Sequence, residues 1–227
     1  MTTKTHKPDD LEAGARPRLT REHVLERAVA LADRNGLQKL TMRALAKELG
    51  VEAMSLYHHV ANKDALLDAM VDRVFAEIAL PAQDVAWKDA LRARAVSARE
   101  ALVRHPWALG LMESRGAPGP ANLRHHDAVL GCLRAGGFSV AAAAHAYSLL
   151  DSYIYGFVLQ ELSLPFDASG GAASVAADVL ALIPSGAYPH LEEVARDHVL
   201  KPGYRYADEF GIGLELVLDA LETLRAP

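Results

Sequence analysis

Thr41 to Lys63 reads TMRALAKELGVEAMSLYHHVANK. The spacing predicts two short helices around a sharp turn, followed by the cap of another. Thr41 is placed as an N-cap, and Met42, Leu45, Ala46 and Leu49 recur at the interval of one buried helical stripe. Ala46 is small where two helices crossing near a right angle come closest. Gly50 supplies the left-handed backbone that a tight turn needs, and Val51 fills the space beneath it. Glu52 and Ala53 open the next helix, with Leu56 and Val60 on its inner side. Ala53, Met54, Ser55, Tyr57 and His59 are left on its outer side. Asn62 then caps a further helix that begins with Lys63. A compact pair of this kind is suited to laying one short helix in a DNA major groove.

The outer residues match that task chemically. Ser55 and Tyr57 can donate to phosphate, and Ala53 and Met54 can meet a thymine methyl. His59 and Lys63 can hold the backbone. Thr41 and Arg43 can clamp the flanking strand, helped by the N-terminus of their helix. Each residue type is ordinary on any protein surface, so the reading rests on their gathering on one side of the turn. His58 and His59 are adjacent and diverge on a helix, without a third ligand three or four residues away, so no metal is expected.

Upstream, Thr20 caps a first helix whose apolar face is Val24, Leu25, Ala28, Leu31 and Ala32. Asn35-Gly36 ends it, and Leu37 and Leu40 point inward across a short link. Residues 1–18, MTTKTHKPDDLEAGARPR, have no periodicity and are expected to form a flexible arm. Arg16 and Arg18, its last basic residues, can reach phosphate or a minor groove.

Bulk composition agrees with a small head on a larger helical body. The chain of 227 residues is 51% hydrophobic, enough for a sizeable core, and rich in Ala with few aromatics, which favours helices. A single cysteine, Cys132, excludes an internal disulfide framework and a Cys-based metal cluster. No run of about 18 apolar residues occurs, and the N-terminal lysines have no apolar segment behind them. The expected location is therefore the cytoplasm, with no membrane contact. Net charge is −5, yet residues 16–63 hold nine Arg or Lys against five Asp or Glu, while residues 76–227 hold twelve against eighteen. A net of +4 on the head and −6 on the body directs nucleic acid to the head.

Residues Leu19 to Asp72 resemble the TetR family of transcriptional repressors. The resemblance rests on Leu19-Thr20, Gly36, Leu40-Thr41-Met42-Arg43, Leu45-Ala46, Leu49-Gly50-Val51, Leu56-Tyr57-His59-Val60 and Asn62-Lys63-Asp64, in order and without a gap. It implies an all-α homodimer with two DNA-binding heads. A small molecule in each C-terminal domain would then spread the heads and release a double-stranded operator. The family's groove and phosphate contacts carry over to Thr41, Arg43, Glu52, Ala53, Met54, Ser55, Tyr57, His59 and Lys63. The domains implied are a helix-turn-helix over 19–63 and a helical regulatory and dimerisation domain over 64–227.

The body reads as further helices. The helix after Asn62 is expected to run to Leu80, where Pro81 ends it. A second spans about Val85 to His105. Pro106 starts a short apolar helix with Trp107, Leu109, Leu111 and Met112. Leu123 to Ala135 and Val140 to Glu161 follow, then shorter pieces over Ala172–Ile183 and Leu191–Val199. The last helix spans Tyr206 to Leu224, with Phe210, Ile212, Leu214, Val217, Leu218 and Leu221 on it. His125-His126-Asp127 is the densest histidine group and is expected to be solvated on a surface helix.

The body also resembles the subgroup that contains the tetracycline repressors, through LVRHPWALGLMESR, LRAGGFSVAAAAHAYSLLDSYIYGFVLQE and DEFGIGLELVLDALE. There the long helix near 140–161 and the final helix form a four-helix bundle across the dimer. That implies an interface of Tyr153, Gly156, Gly211, Gly213, Leu214, Val217, Leu218 and Leu221, where small residues permit close approach. The alternative for the glycines is packing inside one subunit. The subgroup's drug and Mg²⁺ ligands fall at Ala79, Arg94, Ala98 and near Met112, none of which matches, so neither tetracycline nor a metal cofactor is expected. The candidate pocket is Trp107, Leu111, Met112, Tyr147, Leu150, Asp151, Ile154 and Phe157, with Arg94 and Arg115 as polar groups. Such a lining fits a mainly apolar or aromatic effector with one or two polar handles.

Two other functions compete. An enzyme would need a nucleophile motif, a metal motif or a phosphate loop, and the chain has no GxSxG, HExxH or glycine-rich loop. A helical scaffold whose C-terminal domain binds a protein would need no pocket.

Overall fold

In a computed structural model, residues 19–112, 114–166 and 171–225 are described. The expected arm and its Arg16 and Arg18 lie outside those residues. The described chain is all-α, without a strand.

The head begins with α1 (Arg21–Asn35), where the Thr20 hydroxyl accepts the His23 N–H at 3.1 Å. A 3-10 turn over Leu37–Lys39 leads to α2 (Met42–Leu49), capped by Thr41 accepting from Ala44 N–H at 3.1 Å. Gly50 takes φ 66° and turns the chain into α3 (Ala53–Leu56). Regular helix ends at Leu56, earlier than expected, and Tyr57 to His59 continue as turns with the His59 and Val60 N–H groups both on the Leu56 carbonyl. Leu40, Leu45, Leu56, Leu66 and Met70 are sealed together, so the head's core runs directly into α4 (Lys63–Glu77).

α4 stops three residues short of the expected Leu80. Pro81 disfavours helix at the residue before it, and the Ala79 N–H is taken by the Ser97 hydroxyl of α5 (Trp87–Arg104) at 2.9 Å. The short α6 (Pro106–Met112) follows with proline at its first position. α7 (Pro120–Ala135) starts three residues earlier than expected because its cap comes from elsewhere. The Asp72 carboxylate of α4 accepts the Ala121 and Asn122 N–H groups at 2.8 and 2.9 Å. A Cβ at Gly119 would collide with that carboxylate, which explains the glycine. Asp72→Ala should lower stability by about 1–2 kcal/mol, the loss typical of a helix cap, read as a shifted denaturation midpoint with unchanged slope.

α8 (Val140–Ser163) is the longest helix among the described residues. After it come α9 (Ala172–Leu182) and α10 (Pro189–Val194). The expected helix over Leu191–Val199 is split, since α10 passes at Ala195 into one π turn. A 3-10 turn over Tyr206–Asp208 opens α11 (Glu209–Glu222). α4 packs on α1 and α7, α5 on α7 and α8, and α11 on α8 and α5. No helix among the described residues is long and apolar enough to cross a membrane.

Candidate nucleic-acid interface and effector site

The head has an inner and an outer face. Leu56 and Val60 are buried, whereas Thr41, Arg43, Glu52, Met54, Tyr57 and Lys63 are exposed and Ala53, Ser55 and His59 half-buried. Met54 is 73% exposed, a large apolar side chain with nothing of its own chain to cover it. His58 is exposed beside Tyr57. Some cations of the head are paired: Arg27 and Arg34 both hold Glu48, at 3.0 and 2.8 Å, and Arg73 of α4 holds Glu22. Arg43, Lys47 and Lys63 have no ion pair among the described residues. Arg43 on α2 and Lys63 at the start of α4, the elements on either side of α3, are thus both exposed and uncompensated.

Head and body meet at one buried histidine. His105, between α5 and α6, faces Asp33 of α1 through Nδ1 at 2.8 Å and Glu77 of α4 through Nε2 at 3.1 Å. Trp107 Nε1 donates to the same Asp33 at 2.6 Å, and Arg104 donates to Glu77 at 3.0 Å. Burial opposes ionisation of Glu77, but the hydrogen bonds from Arg104 and His105 outweigh it and hold its carboxyl below the usual range. The α5–α6 corner is thus bonded to both α1 and α4.

The residues expected to line one pocket are distributed over four places. Arg94, Tyr147, Leu150, Asp151 and Ile154 belong to the interior between α5 and α8. Trp107 joins the Asp33 contact just described. Leu111 and Met112 pack on the core near it, half-buried and buried respectively. Arg115 turns to α4, pairing with Asp68 and, at 3.3 Å, with Asp64. Phe157 stacks on Tyr206 with ring centroids 5.2 Å apart and meets Phe210 edge-on at 5.1 Å.

The polar centre of the interior was only half anticipated. Arg94 Nη1 donates to Asp151 at 2.7 Å, and Arg94 Nε donates to His125 Nε2 at 3.1 Å. His125 is therefore not solvated as expected: it is fully buried, on the α7 face that also carries Val129 and Leu133. The i, i+4, i+8 spacing of His125, Val129 and Leu133 is the signal that places it inward. Tyr147 is stacked against His126 at 4.0 Å, and burial with the nearby Asp151 pushes its phenol pKa up.

Desolvation, with Arg94 as the next cause, pushes the His125 pKa down to about 4. Between pH 6.5 and 4 the folded chain then binds fewer protons at His125 than the unfolded chain does. Its contribution is full above about pH 6.5 and falls as pH drops through that window, by about 2–3 kcal/mol. Urea melts at pH 7, 5.5 and 4 should show this slope, and His125→Phe should flatten it.

On the α8–α11 surface, Gly156 and Gly211 face outward, alongside Leu149, Leu159, Ile212 and Leu216. Ile212 is 57% and Leu216 68% exposed. The other residues expected at this interface are mostly covered within the subunit. Leu214, Leu218 and Leu221 are buried, Val217 half-buried, and the Tyr153 hydroxyl donates to the Phe210 carbonyl at 2.7 Å. A Cβ on Gly213 would strike that hydroxyl, so Gly213 serves packing inside one subunit.

Two family models match the chain: "Bacterial regulatory proteins, tetR family" over residues 24–70 and "Tetracyclin repressor-like, C-terminal domain" over residues 80–225. The chain belongs to the TetR family. It is a DNA-binding transcription regulator of that family. The HTH-type transcriptional repressor DrrR1 of Streptomyces coeruleorubidus is 35% identical over 223 residues, covering 94% of this chain and 81% of that one. The transcriptional regulator SCO7222 of Streptomyces coelicolor superposes with a TM-score of 0.77 at 29% identity, covering 92% of this chain and 100% of the other. ActR of Streptomyces coelicolor, in complex with actinorhodin, gives a TM-score of 0.75 at 27% identity over 90% of this chain and 97% of the other. Against this TetR-family frame, a cleft of about 710 Å³ lies between Gln83–Trp87, α7 and Arg225, and an apolar cleft of about 260 Å³ between α9 and α10. Neither is lined by Arg94, Tyr147 or Asp151.

Proposed function

We propose that this protein is a transcriptional repressor that binds a two-fold operator as a homodimer and leaves it when a small, mainly apolar or aromatic effector enters its body. The observation that carries the DNA half is the outer face of α3. Met54 and Tyr57 stand exposed there, and the nearby Arg43 and Lys63 lack any acidic partner among the described residues. In this reading Thr41, Arg43 and Lys63 hold phosphates, Ser55, Tyr57 and His59 donate to phosphate or base edges, Ala53 and Met54 meet thymine methyls, and Glu52 accepts from a cytosine amine. The head is residues 19–63 and the regulatory domain 64–227.

Dimerisation is supported by the apolar outward faces of α8 and α11, which one subunit leaves uncovered; a second copy covers both at once. Release by an effector is supported by the joint at His105 and by the likeness to ActR, whose complex holds actinorhodin. Two heads reading one face of DNA would sit about one helical turn apart, roughly 34–36 Å, or a multiple of it. The test is a mobility shift on the protein's own operator while small aromatic molecules are added. Release by some of them at fixed salt is expected. Effectors that bind the body yet change neither DNA affinity nor head spacing would refute the mechanism.

A further inference from the structure

Both ring nitrogens of His105 face carboxylate oxygens. Nδ1 lies 2.8 Å from Asp33 Oδ1, and Nε2 lies 3.1 Å from Glu77 Oε2. Each of those oxygens also receives an N–H from a group that can only donate. Asp33 Oδ1 takes the Trp107 indole N–H at 2.6 Å, and Glu77 Oε2 takes the Arg104 guanidinium at 3.0 Å. Burial works against the Glu77 anion, but the hydrogen bonds from Arg104 and His105 hold its carboxyl below the usual range, so at neutral pH it accepts and does not donate. A neutral imidazole has one N–H and one lone pair, and would set that lone pair against a carboxylate oxygen. Only the doubly protonated ring donates to both sides.

Charge gives the same answer. With the ring protonated, His105 and Arg104 stand against Asp33 and Glu77, cation for anion. With the ring neutral, one carboxylate is left over beside a side chain that is sealed from water, which is costly. Asp33 comes from α1, Glu77 from α4 and Arg104 from α5, while α6 adds Trp107 and no titratable group. Among the described residues no further charged side chain bonds to this set.

We propose that His105 is a positioning residue whose imidazolium form fastens the DNA-binding head to the body, so that operator binding follows the protonation of this one buried ring. One N–H holds α1 and the other holds α4. Loss of a proton frees whichever carboxylate is left facing the lone pair, and with it one of the two helices. A head held at one angle presents α3 without further ordering, whereas a loosened head must be ordered as it binds, which weakens binding. Histidine changes charge between about pH 5 and 8, so the joint responds in that range. The proposal rests on the operator-binding reading above and requires no effector.

The test is titration of the full chain on its selected operator and on random duplex DNA, at fixed salt, between about pH 6 and 8.5. Random DNA corrects for His58 and His59, whose phosphate contacts would act on every duplex alike. Operator affinity relative to random DNA should fall by about tenfold as pH rises, since each subunit of the dimer loses one hydrogen bond to a charged group. His105→Gln has no ring to protonate, so its ratio should stay within about twofold over the same range. Asp33→Asn should also flatten the profile while binding about as tightly as the parent does at the acid end. Its carboxamide can donate to Nδ1 of a neutral ring and still accept from Trp107. A merely structural role for His105 would leave the Asp33→Asn profile as steep as the parent's, and this variant keeps the test open if His105→Gln does not fold. NMR of the ring nitrogens should show both protonated at about pH 6. A flat parent profile, an equally steep one in Asp33→Asn, or a ring with a single N–H at the acid end would overturn the proposal and leave DNA binding intact. If the parent selects no operator at any pH, the operator-binding reading falls with it.

Discussion

Replacing Ser55 and Tyr57 together by alanine should lower operator affinity by about a thousandfold at fixed salt, with no change in the thermal melt. The size follows from counting. Each side chain lost removes one polar DNA contact worth about 1 kcal/mol, and a two-fold dimer loses four of them. The melt should not move because neither side chain is part of the buried core, which is held by Leu45, Leu56 and Leu66. Arg43→Ala should behave differently. It removes a phosphate charge from each head, so it should weaken binding to all duplexes alike and reduce the salt slope by about 2 for the dimer. Titrations on operator and random DNA at several salt concentrations separate the two. A double alanine variant that binds within about threefold of the parent would remove α3 from the interface.

Asp151→Ala should destabilise the fold by about 3–5 kcal/mol, because it strands the Arg94 cation in a sealed interior. The remaining partner of that guanidinium is His125, which is neutral at pH 7 and cannot balance it. Replacing the pair together, as Arg94→Met with Asp151→Leu, should cost far less, within about 1 kcal/mol of the parent. Chemical denaturation of the two variants measures the contrast. If the single variant lost less than about 1 kcal/mol, the pair would have to be solvated and its burial would be wrong.

The head was legible because its signals are local. Thr20, Thr41 and Asn62 each cap the helix that follows them, and Gly50 adopts the left-handed turn its position requires. The family resemblance over Leu19–Asp72 coincides with this part of the chain. Elsewhere, the boundaries that differed from expectation were set by distant groups. α7 starts at Pro120 because Asp72 of another helix caps it, and α4 ends at Glu77 because Ser97 takes the Ala79 N–H. No local window contains either partner. The same holds for the body's polar chemistry. Sequence position alone puts Arg94, Asp151, Arg115 and Trp107 in one pocket, whereas Arg115 turns to Asp64 and Asp68, and Trp107 to Asp33. His125 was lost by reading it with its neighbours His126 and Asp127 rather than with Val129 and Leu133, the residues that share its helix face. On α11, Leu214 and Leu218 look equally suited to a subunit interface and to a core; the outward residues are Ile212 and Leu216, half a turn away.

The measurement that bears most directly on a DNA-reading dimer is selection of bound sequences from random duplex DNA by the purified full chain, followed by titration of the winner at fixed salt. The expected result is a palindrome with half-sites one helical turn apart, or a multiple of it, bound at least about 1,000-fold more tightly than random DNA. Enrichment of nothing, or of a site that the Ser55→Ala, Tyr57→Ala variant binds equally well, would contradict it.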